Sequence, residues 1–129
     1  RKSFELRLLT SPIFVYITAD NKYELYVNGK LVGRDSVWET VEKYDVTRLL
    51  RKGRNLIAVK CVNEDGPAGL LVQVEAGKKK KVILVSDESW KVGEEKEGWK
   101  EMDFNDSGWR KAKVIGTPPC SPWGVLERP

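Results

Sequence analysis

The sequence predicts an all-β domain, an antiparallel β-sandwich. Short runs of alternating apolar and polar residues recur along it, an Asn28-Gly29 dipeptide separates two of them, and no long stretch has helical periodicity. The 129 residues suffice for one domain, 1–129, and the 40% hydrophobic share supplies a core.

Phe4, Leu6 and Leu8 alternate with polar residues, and Ser11-Pro12 ends that run. Ile13 to Ala19 is β-branched and aromatic throughout, as in a strand buried on both faces. Asp20-Asn21-Lys22 reads as a loop and Tyr23 to Val27 alternates again. Asn28-Gly29 is a hairpin signal because both central positions of a type I′ turn require positive φ. Lys30 to Gly33 returns, and residues 34–43 read as irregular around Trp38. Tyr44 to Gly53 reads as one helical turn, with Asp45 as its cap, cations in its last turn and Gly53 at its end. Leu56 to Val62 and Leu70 to Glu75 are strands flanking a wide loop. Gly77 and the lysines 78–81 form a solvated hairpin tip before Val82 to Val85. Beyond Ser86 the strands shorten around Trp90, Trp99, Trp109 and Trp123, and the Pro-rich tail reads as an extended strip.

Composition narrows the function. The chain has no His, which removes Ser-His-Asp and Cys-His catalysis and His-ligated metal. A net charge of +4, from 23 basic and 19 acidic residues, is well short of a nucleic-acid-binding surface. No apolar run approaches the roughly 20 residues of a membrane-spanning helix. Period-two alternation places Cys61 with Ile57 and Val59, as a small buried hydrophobe with a free thiol; a bridge to Cys120 is the alternative.

Three segments carry a resemblance: Ala19 to Gly33 around Tyr26-Val27-Asn28-Gly29-Lys30; Tyr44-Asp45-Val46-Thr47 followed by Gly53-Arg54-Asn55-Leu56; and Ser86-Asp87-Glu88-Ser89-Trp90 followed by Asp103-Phe104-Asn105-Asp106-Ser107-Gly108-Trp109. Together they resemble the galactose-binding-like β-sandwich (jelly roll) of bacterial glycoside hydrolases, above all the accessory domain of α-L-rhamnosidases. That resemblance implies a non-catalytic sugar-binding module outside the cytoplasm, extracellular or periplasmic, covalently attached to a catalytic domain, with no nucleic-acid or membrane partner. It also implies calcium. Rhamnose-binding modules of family 67 hold a calcium ion with an Asp-Asn pair and a later Asn, matched here by Asp20, Asn21 and Asn63, with a proline matched by Pro67. Trp38 matches their aromatic sugar contact, and the sugar is a deoxyhexose or part of a plant polysaccharide.

The residues alone leave alternatives open. Asp20-Asn21 is also an ordinary turn dipeptide, Trp38 also suits a sandwich edge, and Trp99 and Trp123 suit either a sugar platform or a contact with a neighbouring domain. Trp90 and Trp109 read as packing residues. If the strands preceding Asp20 and Asn63 run the same way in space, both loops emerge at one end of the sandwich. A single carboxylate there gives weak calcium affinity, about 10⁻⁴–10⁻³ M. The rival reading is a structural accessory domain that packs on the catalytic domain and binds no sugar.

Overall fold

The computed structural model describes residues 1–63, 69–116 and 128–129. These form strands β1 (Lys2–Leu6), β2 (Ile13–Asp20), β3 (Lys22–Val27), β4 (Lys30–Asp35), β5 (Glu42–Asp45), β6 (Gly53–Val62), β7 (Gly69–Ala76), β8 (Lys81–Val85), β9 (Lys91–Val92) and β10 (Arg110–Lys111). Two four-stranded sheets stack as a sandwich, ordered β1-β6-β3-β4 and β5-β2-β7-β8, and β9 pairs with β10 in a small third sheet. All pairings are antiparallel.

The core lies between the two large sheets. Ile13, Val15, Ile17 and Ala19 of β2, with Val72 and Val74 of β7 beside them in the same sheet, face Tyr23, Leu25 and Val27 of β3 and Ile57 of β6, all buried. Trp90 joins this core. A second apolar cluster lies against the opposite face of the first sheet, where Tyr26, Leu56 and Ala58 meet Trp99, with Met102, Phe104 and Trp109 packed around them. The Trp99 ring stands edge-on to Tyr26 at 5.6 Å, so Trp99 is a buried packing residue and not a sugar platform. Arg1 ties down this tryptophan-rich segment. Its guanidinium donates to the carbonyls of Trp99 (2.6 Å), Glu101 (2.9 Å) and Phe104 (3.3 Å) and to the Asp106 carboxylate (3.0 Å). Burying a cation is tolerable only when its donors are met in this way.

Strand polarity defines two ends. The upper end carries the end of β2, the end of β6 and the start of β7. The lower end carries the turns at 28–29, 46–52 and 77–80 and the connection 7–12. Asn28 and Gly29 adopt φ of 49° and 84°, as the type I′ reading requires. Asn55, fully buried, closes the lower end: its Oδ1 accepts from the Arg51 N–H (3.0 Å) and from Asn28 Nδ2 (2.9 Å). Its Nδ2 donates to the Arg51 carbonyl (2.7 Å), while Asn28 also donates to the Leu49 carbonyl and accepts from the Leu56 N–H, both at 2.8 Å.

Three expectations change. Tyr44 and Asp45 belong to strand β5, and residues 47–49 form a turn that does not propagate into a helix. Asp45 still caps it, accepting from the Thr47 N–H (3.0 Å) and hydroxyl (2.6 Å). Pairing of β5 with β2 outweighs the local helical signal. The alternation from Phe4 ends at Leu6, because β6 begins opposite it at Gly53, and Leu8 is 70% exposed. Residues 34–43 are less irregular than expected, since β4 runs on to Asp35 and β5 starts at Glu42. The expected strip at 117–123, with Cys120 and Trp123, lies outside the described residues.

Truncating Asn55→Ala strands the buried Arg51 and Asn28 groups, and we expect a loss of about 2–4 kcal/mol in urea unfolding. A loss below about 0.5 kcal/mol would show that these bonds are not what closes the lower end.

Candidate functional site

β2 and β6 run in the same direction, because β3 pairs antiparallel with β6 and follows β2 across a single residue. Asp20 and Asn63 therefore leave the sheets at the same end. The ladder makes the link tight: the Asn21 N–H donates to the Val62 carbonyl at 2.9 Å, and Asp20 pairs with Gly69. Asp20 and Asn63 both line a cavity of about 590 Å³, with Val59, Cys61 and Leu70 beside them and Trp90 and Trp109 in the opposite wall. Such a volume suits a small ligand.

Asp20 is 6% exposed, and its Oδ1 has no hydrogen-bond partner. A buried carboxylate oxygen without a donor is costly and rare in native proteins. Asn21 is half-buried and Asn63 is exposed. Pro67 lies outside the described residues. Among the described residues no three Asp, Glu, Cys or His side chains cluster as a metal site. A cation here would rest on one carboxylate with amide and carbonyl oxygens.

The structure does not bring Trp38 into this cavity, nor into the smaller cleft over Lys22, Glu24, Arg34 and Lys60. Trp38 is half-buried, and its carbonyl accepts from the Thr18 hydroxyl at 3.1 Å. Thr18 and Asp20 share one face of β2 by alternation, so Trp38 is anchored one residue pair from Asp20, outside the cavity.

Among the described residues two other carboxylates line the cavity, and both are engaged. Glu95 pairs with Lys60 at 2.9 Å, and Asp87 accepts from the Ser89 N–H (2.8 Å) and hydroxyl. The Ser89 bonds hold the Asp87 carboxyl below its usual range. Sequence reasoning missed the apolar rim of Val92, Val114 and Ile115, which are 39%, 56% and 55% exposed. The apolar pair Val114-Ile115 in a lysine-rich stretch was its only signal.

Cys61 is a correction. It is a free thiol, as expected, but exposed and not in the core. Ile57 and Val59 do face the core, yet burial falls away along the last residues of β6, where Cys61 borders the cavity although its ladder partner Tyr23 is buried. There the surrounding protein displaces water and pushes the thiol up to about 11.

Comparison with known proteins gives this geometry a context. An α-L-rhamnosidase of Streptomyces avermitilis is 38% identical over 120 residues, matching 84% of this chain but 12% of its own length. The crystal structure of that enzyme complexed with L-rhamnose superposes with a TM-score of 0.86 at 34% identity, covering 95% of this chain and 13% of that one. This chain matches a β-sandwich segment of α-L-rhamnosidases. The resemblance read from the three sequence segments is borne out, and the chain spans about an eighth of the rhamnosidase it matches. The apo form of a Pleurotus ostreatus lectin also shares the fold, with a TM-score of 0.81 at 29% identity over 95% of this chain and 37% of the lectin. No family model matches.

Only the thiolate of Cys61 reacts with maleimide. In a Cys120→Ser variant we expect alkylation of the native protein to be slow at neutral pH and to rise about tenfold per pH unit to about pH 10. A plateau near pH 8.5, where an ordinary thiol titrates, would contradict the elevated value.

Proposed function

We propose that the chain is a non-catalytic carbohydrate-binding module of a glycoside hydrolase, and that its upper end binds a deoxyhexose through a calcium ion held by Asp20, Asn21, Asn63 and the Pro67 carbonyl. The observation that carries this reading is the buried Asp20 oxygen without a partner, in a cavity shared with Asn63. Calcium takes oxygen ligands in flexible geometry, and one carboxylate with amides and carbonyls suits a weak extracellular site. When bound, the ion leaves coordination positions that vicinal sugar hydroxyls fill. Asp20 supplies the charge, the two amides supply neutral oxygens, and Trp38, outside the cavity but held by Thr18 one residue pair from Asp20, is the apolar ring that a sugar extending beyond the ion would meet.

The absence of a catalytic role in this reading rests on the cavity's own acids. A glycosidase needs one carboxyl kept protonated and a second one facing it. Among the described residues, Asp20 is given to the ion, Asp87 is held ionised by Ser89, and Glu95 pairs with Lys60. The bond-breaking residues then belong to the covalently attached catalytic domain. L-rhamnose is the first sugar to try, because the matching structure is a complex with it.

One observation favours the rival, a structural domain that binds no sugar: the exposed apolar rim of Val92, Val114 and Ile115 also suits a packed neighbouring domain.

Calcium separates the two. In calorimetry and thermal melts, calcium at about 5 mM raises the melting temperature of the native chain by mass action and leaves Asp20→Ala unmoved. With calcium present, Trp38→Ala keeps that rise and weakens L-rhamnose binding about tenfold or more, the scale of a lost aromatic contact. If the native chain responds neither to calcium nor to L-rhamnose, the structural reading replaces this one.

A further inference from the structure

We propose that the lower end of the sandwich is a docking surface for an acidic polysaccharide, a polymer of uronate carboxylates. The sequence shows only a lysine run, which by itself reads as a solvated tip. The fold adds the rest. Lysines 78–81 project from the turn between β7 and β8, and Arg48 and Lys52 project from the connection between β5 and β6. Arg7, on the connection after β1, and Lys30, the first residue of β4, flank them, and all of these cations are exposed.

Hydrogen bonds make the four connections one platform. The Gly77 N–H donates to the Pro12 carbonyl (2.8 Å), the Val46 N–H to the Ile13 carbonyl (2.9 Å) and the Ile13 N–H to the Thr47 hydroxyl (2.8 Å). Asn28 donates to the Leu49 carbonyl at 2.8 Å, which adds the turn before Lys30. The cations are therefore held at fixed separations on one surface and are not four independent loops.

Little opposes their charge. Among the described residues none of these cations is in an ion pair. The nearby acids Asp45 and Glu75 keep their charge and are steadied in part by Arg48 and Lys80, but their bonds are to other groups, Asp45 to Thr47 and Glu75 to Arg128 (2.9 Å) and Gln73 (2.8 Å). Glu101 flanks Gly29, and Glu5 lies across the ladder from Arg54. So the modest net charge of +4 conceals a one-sided distribution, with the lower end far more basic than the whole.

The chemistry points to a glycan over other polyanions. Residues 7–12, 28–30, 46–53 and 77–81 contain no aromatic side chain, so there is no platform for stacking bases. The chain is also similar to segments of glycosidases and to a lectin. The surface does not depend on Asp20. The eight residues of β2 separate the two ends by about 25 Å, beyond the roughly 8 Å reach of unscreened charge at physiological salt.

The test is affinity electrophoresis and calorimetry with polygalacturonate, in chelator so that calcium plays no part. We expect retention at about 20 mM NaCl that vanishes by about 0.5 M, with no retention on a neutral galactan. The variant K78Q/K79Q/K80Q, and separately R48Q/K52Q, should weaken binding about tenfold or more, since each removes charges from the same platform. K96Q/K111Q/K113Q, which lowers net charge elsewhere, and Asp20→Ala should both bind as the native chain does; melts confirm that every variant folds. The proposal is overturned by no retention at low salt, or by equal losses in the lower-end and control variants. Tighter binding to duplex DNA or to phosphatidylserine vesicles overturns it as well, and would assign the surface to nucleic acid or, through exposed Leu8 and Leu9, to a membrane.

Discussion

Strand polarity is the constraint on which both ends of this molecule depend. Because β2 and β6 run the same way, residues 20 and 63 must leave their sheets together, although they come from different sheets and are far apart in sequence. The same polarity sends the turns at 28–29, 46–52 and 77–80 to the other end. A one-residue slip in register would turn every inward side chain of β2 outward, so the apolar positions Ile13, Val15, Ile17 and Ala19 fix which face of β2 meets the core and hence its register against β7. The chemistry at each end is thus a consequence of core packing.

Two polar anchors preserve that arrangement. Asn55 holds the lower turns through the Arg51 backbone and Asn28. Arg1 holds the tryptophan-rich segment over the first sheet by donating to three carbonyls and to Asp106. That segment reaches the cavity through Trp99 and Trp109, so a residue far in sequence from Asp20 helps shape the site beside it. The buried Asp20 oxygen stands apart from this pattern. The two anchors satisfy their donors and acceptors internally, whereas Oδ1 of Asp20 does not.

Much of this was legible in the sequence, and the failures have physical causes. Apolar runs identified β2, β6 and β7, and alternation identified β3, because their inner faces are continuous and apolar. Asn28-Gly29 was legible because its backbone angles admit few residues. Tyr44-Asp45 was misread as helix, since Asp45 caps a turn with the same local bonds that start a helix, and only pairing with β2 distinguishes them. Cys61 was misplaced because alternation reports which face a residue occupies and not whether the core extends that far. Asp20 and Asn63 were picked out as candidates, and the fold places both in one cavity. Trp38 was picked out too, but the short span between β4 and β5 carries no periodicity from which to place it, and it sits outside that cavity. The lower-end surface was invisible, because its cations come from four separate connections.

The measurement that tests the central claim most directly is amide chemical-shift mapping of the isotopically labelled chain, titrated first with calcium to several times the about 10⁻³ M upper bound expected for such a site and then with L-rhamnose. The account predicts saturable shifts at Asn21, Asn63 and their neighbours on adding calcium, further shifts there and near Trp38 on adding sugar, and no change at lysines 78–81. Shifts confined to the lower end, or none at the upper end under saturating calcium, would contradict it.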